Sequence, residues 1–279
     1  MLKAILHDQL QLGLAQAGVT ALAVAMVVLL CRGRKIHLER ETAVALVRAM
    51  VQIVAVGSVL VLLLRGPQWT GGMVLAAMIA AAGATSAKRA KGIPGAFQVS
   101  TCAIACGAGS VIAVMALLGV IDTPITALVP VGSMLIANAM NTNGLALNRL
   151  RADVLAHVGE IETALALGAD SGSSVAPYLQ ASMEASLIPA VDSLRSLGIV
   201  WIPGLMAGML LSGSRPLYAA IYQFVVLAMI FAASGLTSLV STFLVRARIF
   251  SAAEQLILRP ALAAPAKQER RGRGRRIKS

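Results

Sequence analysis

Residues 132–150 read GSMLIANAMNTNGLALNRL, an apolar stretch long enough to cross a bilayer that nevertheless carries Asn138, Asn141, Asn143 and Asn148. A carboxamide in hydrocarbon costs several kcal/mol unless it finds a hydrogen-bond partner. At about 100° per residue, Met134, Asn138, Asn141, Leu145 and Asn148 fall within roughly 80° of one another on a helix, with Asn143 nearly opposite. Such a stripe has two chemical uses. It can glue helices together through amide hydrogen bonds, or it can form one wall of a transport pathway. The segment 217–245 carries a second polar side, Gln223, Ser234, Thr237 and Ser241. Hydroxyls there can bond back to their own helix carbonyls, so this side is the weaker pathway candidate. Gln98, Cys102 and Cys106 recur at four-residue intervals. Thiols suit soft metals, but buried cysteine usually behaves as a small hydrophobe, so Cys102 and Cys106 are a weak metal candidate. His7, His37 and His157 lie in three separate segments and form no ligand cluster.

The elements that must position these residues follow from composition. The chain has 279 residues, of which 58% are hydrophobic and 13% charged. Soluble domains are about 25% charged, so the class is an all-α polytopic membrane bundle. Apolar segments at 10–30, 42–64, 69–85, 97–120, the stripe-bearing segment, 197–211 and 217–245 predict seven spanning helices. Three cysteines without a Cys-x-x-Cys pair exclude a disulfide framework. The basic cluster Cys31-Arg32-Gly33-Arg34-Lys35 follows the first apolar run, whereas a cleaved signal peptide would place its positive charge before it. Arg32, Arg34, Lys35 and Arg40 fall in one loop, Lys88, Arg89 and Lys91 in the next on that side, and Arg149 and Arg151 in a third. The positive-inside rule puts these loops in the cytoplasm, the N-terminus outside and the C-terminus inside. Asp122 and Pro124 read as turn formers.

Residues 149–192 differ in character. They are amphipathic, interrupted by SGSSVAP, which reads as a turn-rich linker, and hold six of the chain's twelve acidic residues with no Lys or Arg between Ala152 and Leu194. They predict a cytoplasmic helical hairpin too polar to span. A membrane-surface helix would carry basic residues on its polar face, so a protein partner is the better reading. Residues 1–256 therefore form the membrane domain. Residues 257–279 form a basic tail; ten of the 24 basic residues follow Val245, and they account for much of the net charge of +12. A tail of this composition is expected to be disordered and to favour anionic membrane lipid over any specific nucleic acid.

GSMLIANAMNTNGLALNRL, EIETALALGAD, SLIPAVDSLRSLGIVWIPGLMAGMLLSG and IYQF together resemble the bacterial family of FetB-type iron-export permeases, to which plant permeases linked to aluminium tolerance are similar. The resemblance covers most of residues 1–256. It implies a permease subunit in the bacterial inner membrane, exporting iron or another metal and driven by a separate ATP-binding-cassette ATPase. ATP and magnesium would sit on that partner, since this chain has no GxxxxGK[ST] phosphate loop and no cofactor of its own is expected. Glu162-Thr163-Ala164, three residues and Gly168 are similar to the start of the loop by which importers of that class dock their ATPase. Pro189, 21 residues after Gly168, departs from that loop's spacing. Glu160, Glu162, Ala164 and Gly168 are thus the expected docking residues. A homodimer with two ATPases is the expected assembly, packed on the small-residue surfaces of the fourth and fifth helices. A secondary transporter of a small solute and a non-transporting scaffold stay open as alternatives. The former usually places ionisable groups inside the membrane, and the apolar segments here have almost none beyond Arg48.

Overall fold

The computed structural model describes residues 9–33, 39–63, 67, 69–90, 92–121, 124–251 and 254–258. Among these the chain is helical, with isolated bridges in place of strands. It divides into two compact units, Met1–Pro67 and Gln68–Ser279. The first unit holds α1 (Gln9–Gly33) and α2 (Glu39–Leu63). Both are apolar almost all round. The one hydroxyl near the middle of α1, Thr20, is satisfied inside its own helix by the carbonyls of Gln16 and Ala17 at 3.0 and 2.9 Å.

The second unit holds α3 (Trp69–Arg89), α4 (Ala96–Ile104), a π-helical turn (Ala105–Gly109) and α5 (Ser110–Leu117). It continues with α6 (Ile125–Ala156), α7 (Val158–Ala166), α8 (Ser171–Ser196), α9 (Gly204–Leu211) and α10 (Pro216–Ile249). Helix α6 is central, packing on α3, α8 and α10, while α4 bridges α3 and α10. One core joins Leu75, Ile104, Ile112, Leu135, Val226 and Ile230. A second, at the end marked by the basic residues of α3, α6 and α10, joins Leu147, Val154, Ile161, Val175, Val245 and Ile249. Phe250 forms an antiparallel bridge with Leu256, and Leu256 and Leu258 are buried in that second core. Residues 259–279, which hold nearly all of the expected basic tail, lie outside the described residues, as do Asp122, His7 and His37.

Among the described residues, five helical segments are long and apolar enough to cross a membrane: Ala15–Arg32, Trp69–Arg89, Ala96–Leu117, Ile125–Ala156 and Pro216–Ile249. Thr42–Gly57 within α2 is a shorter apolar stretch. Two expectations are corrected. The segment 197–211 is not one spanning helix. A turn closed by the Leu197–Trp201 bridge leads into α9, whose eight residues rise only about 12 Å. Nor is SGSSVAP a linker. Asp170 caps the helix that begins there, accepting from the amides of Gly172 and Ser173 at 2.9 and 3.0 Å, and Ser171 to Ser196 run as one helix. The second arm of the expected hairpin is therefore a 26-residue helix lying against α6 and α10, not a free amphipathic piece. Its Ser186 is buried, with its hydroxyl 3.0 Å from that of Ser238 in α10.

Candidate translocation face and coupling element

Helix α6 sorts its amides by side, as the angular argument requires. Asn143 is fully buried and donates from Nδ2 to Ser86 Oγ of α3 at 2.7 Å. It is interhelical glue. Asn138, Asn141 and Asn148 are exposed on the opposite side, together with Leu145 and half-buried Met134. Asn138 donates to the carbonyl of Met134 in its own helix at 2.9 Å. Asn141 accepts from Arg89 Nη1 at 3.4 Å. The structure thus brings Met134, Asn138, Asn141 and Asn148 onto one open face.

The second polar side is placed differently. Gln223, Ser234, Thr237 and Ser241 are all buried at 0–1% exposure. Gln223 Oε1 accepts from the amide of Met206 at 3.3 Å. That amide is one of the first-turn donors that a helix leaves without a partner, so Gln223 closes the start of α9 from across the helix pair. Among the described residues the Ser234, Thr237 and Ser241 hydroxyls find no hydrogen-bond partner, and neither does Ser100 on α4. A Cβ on Gly107, in the π-helical turn, would run into Thr237 Oγ1 and lie 2.6 Å from the Thr237 backbone nitrogen. The absent side chain is what lets α10 reach the backbone of that turn. The hydroxyl row of α10 is therefore a close-packing surface within one chain. Cys102 and Cys106 are exposed on α4 and the π-helical turn, and no group of His, Cys, Asp or Glu that could hold a metal occurs among the described residues. Gln98 accepts from Arg248 Nη2 at 3.1 Å, which ties α4 to the end of α10.

The expected docking residues lie on α7 and the turn after it. Ile161 is buried and anchors the helix in the second core. Glu160 accepts from the Tyr178 hydroxyl at 2.9 Å, and His157 stacks on the same ring with centroids 5.0 Å apart. Glu160 therefore fastens α7 to α8. Glu162, Thr163 and Ala166 are exposed, and Ala164 is half-buried. Gly168 has φ 93°, a left-handed conformation that ends the helix and reverses the chain. Just before it, Leu167 is 84% exposed, a bare leucine at the tip of the turn. Sequence reading missed Leu167 because the importer-like pattern leaves that position unspecified. Past the turn, Asp170 is 3.8 Å from Arg246 of α10. Hydrogen bonds from Ser173, first from its hydroxyl and then from its amide, hold the Asp170 carboxyl below the usual carboxylate range, with Arg246 adding to the effect. A shallow groove of about 440 Å³ runs beside α7, lined by Glu162, Leu165, Ala166, Glu254 and Leu256.

A family model described as an uncharacterised protein family, UPF0014, matches residues 14–250. The chain is 33% identical over 236 residues to the UPF0014 membrane protein STAR2 of Oryza sativa subsp. japonica, covering 84% of this chain and 82% of that protein. It is 30% identical over 247 residues to Protein ALUMINUM SENSITIVE 3 of Arabidopsis thaliana, covering 88% and 90%. It is 31% identical over 236 residues to the probable iron export permease protein FetB of Escherichia coli strain K12, covering 84% and 91%. No solved structure matches the chain. The matched region takes in the open amide face, the α7 turn and all of α10, and the chain belongs to the UPF0014 family of membrane proteins.

Proposed function

We propose that this chain is the membrane subunit of an ABC-type exporter in the bacterial cytoplasmic membrane, moving iron or another metal with a separate ATPase. The observation that carries this reading is the open amide face of α6. An apolar helix of spanning length does not expose Asn138, Asn141 and Asn148 to hydrocarbon without cost, so the face meets cargo, water or a second subunit. The similarity to the probable iron export permease protein FetB of Escherichia coli supports export as the direction and iron as the metal. Seven crossings follow if α4, the π-helical turn and α5 count as one and α8 with α9 as another. The basic end then faces the cytoplasm and the N-terminus lies outside. Helix α7 sits at that end, where an ATPase would dock. Two copies of the chain and two ATPases complete the transporter.

Replacing Asn138 and Asn141 singly by Leu tests the reading. The expected result in vesicles carrying the permease and its ATPase is loss of metal transport with normal membrane content and normal ATPase association. If the leucine variants disappear from the membrane instead, the amides are structural glue and the proposed role fails.

A further inference from the structure

Arg89 does something that the count of basic loops did not anticipate. It is the last residue of α3, and its guanidinium turns onto α6 to meet Asn141 Oδ1 at 3.4 Å. The approach is built. One turn earlier, Ser86 takes the buried hydrogen bond from Asn143, which pins α3 to α6. Opposite Arg89 stands Gly144, where a Cβ would lie 2.9 Å from Arg89 Cδ and 3.2 Å from Nη1. The missing side chain is the space through which the arginine reaches the amide face. A cation in the last turn also complements the helix dipole, but Lys88 serves that purpose equally well, and the dipole does not explain the gap at Gly144.

The guanidinium has five N–H donors. Among the described residues its partner is a neutral amide oxygen at 3.4 Å, close to the limit for a hydrogen bond. Among the described residues, three carboxylates at this end have other partners: Asp153 pairs with Arg149 at 2.9 Å, Asp170 caps its own helix start and faces Arg246, and Glu160 accepts from Tyr178. No cluster of metal-ligating side chains occurs among the described residues. The face therefore offers a fixed positive charge and neutral amides, which suits an anionic oxygen group and repels a bare divalent cation.

Resting on the permease reading above, we propose that Arg89 and Asn141 form an anion-recognising station at the inner end of the amide face. The cargo carries a carboxylate or phosphate group there, and a metal passing this face does so as an anionic complex. A lipid phosphate shares that chemistry, so the test separates the two sources. Full-length permease in a neutral detergent is titrated with ferric citrate, with citrate alone and with ferrous iron alone, for the wild type, R89Q, R89K and G144A. The expected result is binding of ferric citrate to the wild type, weakened about ten-fold or more in R89Q, since a charge-assisted bond is lost. R89K weakens it less, because the charge remains without the fork. G144A keeps the charge but crowds Arg89, and it also weakens binding, which covers the case in which R89Q does not fold.

Ferric citrate binding that is equal in the wild type and R89Q overturns the proposal. So does wild-type binding of ferrous iron in preference to both anionic probes. Loss of ferric citrate binding when phosphatidylglycerol is added would assign Arg89 to lipid and overturn it as well. The measurement involves no ATPase, so a permease that fails to bind an ATPase yet binds ferric citrate through Arg89 sinks the ABC reading alone.

Discussion

At the residue scale the amides of α6 have separate jobs, and the difference is set by what each can reach. Asn143 meets Ser86 inside the bundle, whereas Asn141 meets a charged donor at an open surface. Replacing Asn143 by Leu leaves the Ser86 hydroxyl buried without its donor, which costs about 1–3 kcal/mol. Thermal unfolding of the purified protein checks this, and the midpoint is expected to fall. The same logic applies with opposite sign of volume at Gly107. A Cβ there would meet the Thr237 backbone nitrogen at 2.6 Å, and backbone cannot swing away. Gly107→Ala is expected to destabilise by about 1–3 kcal/mol through overpacking. Gly107→Ala combined with Thr237→Ser is expected to recover little, because the clash with the Thr237 backbone remains. A Gly107→Ala variant that unfolds at the wild-type temperature would show that the π-helical turn can move away from α10.

At the element scale, α7 is the candidate coupling element. Helix α7 is held by a buried isoleucine on one side and by the Glu160–Tyr178 bond at its start, and it presents Glu162, Ala166 and Leu167 outward. An exposed leucine beside a tight glycine turn is the kind of anchor that fills a pocket on a partner. Leu167→Asp is expected to leave the permease inserted and to abolish co-purification of the proposed ATPase partner. Gly168 is a poorer probe, because any side chain there strains the turn as well as altering the surface. The start of α8 also has a pH dependence. Asp170 has a lowered carboxyl pKa, so its contribution is complete above the ordinary value of 3.8 and is lost as the pH falls through the lowered one. Amide exchange at Gly172 and Ser173 is expected to stay slow at pH 5 and to accelerate, relative to the chemical rate, only well below pH 4.

Much of this element map was legible in the sequence, and the misreadings have physical causes. The apolar runs of α1, α3, α6 and α10 declared themselves by length and composition, and the amide stripe by its period. SGSSVAP read as a linker because Ser, Gly and Pro favour turns. Nothing in a composition count shows that Asp170 would engage two amides and convert the same residues into a helix start. The apolar run 197–211 read as a span because hydropathy ignores Gly198 and Pro203, which break it into a turn and eight helical residues. Arg89 was assigned to a loop because the positive-inside rule counts charges without asking where a long side chain reaches. The burial of Gln223, Ser234, Thr237 and Ser241 was beyond periodicity, which shows that residues share a face and not what covers it.

At the scale of the whole molecule the exposed amide face leads to a prediction about assembly. A carboxamide is donor and acceptor at once, so a row of them along one helix is complementary to its own copy related by a twofold axis. Asn138, Asn141 and Asn148 rise about 15 Å along α6, a depth that lipid cannot satisfy with hydrogen bonds. A second copy can, and any pathway would then run between the two α6 helices with Arg89 of each chain at its inner end. Single cysteines in place of Asn138 or Asn141, in a variant lacking Cys31, Cys102 and Cys106, are therefore expected to cross-link two copies in native membranes under mild oxidation. A cysteine replacing Val114, exposed on α5, is expected not to do so. Asn138→Leu with Asn141→Leu is expected to weaken the association, read as a shift toward single copies in cross-linking through a flexible amine reagent. If the Val114 position cross-links and the α6 positions do not, the copies meet on the α5 side and the amide face must find its partner within one chain.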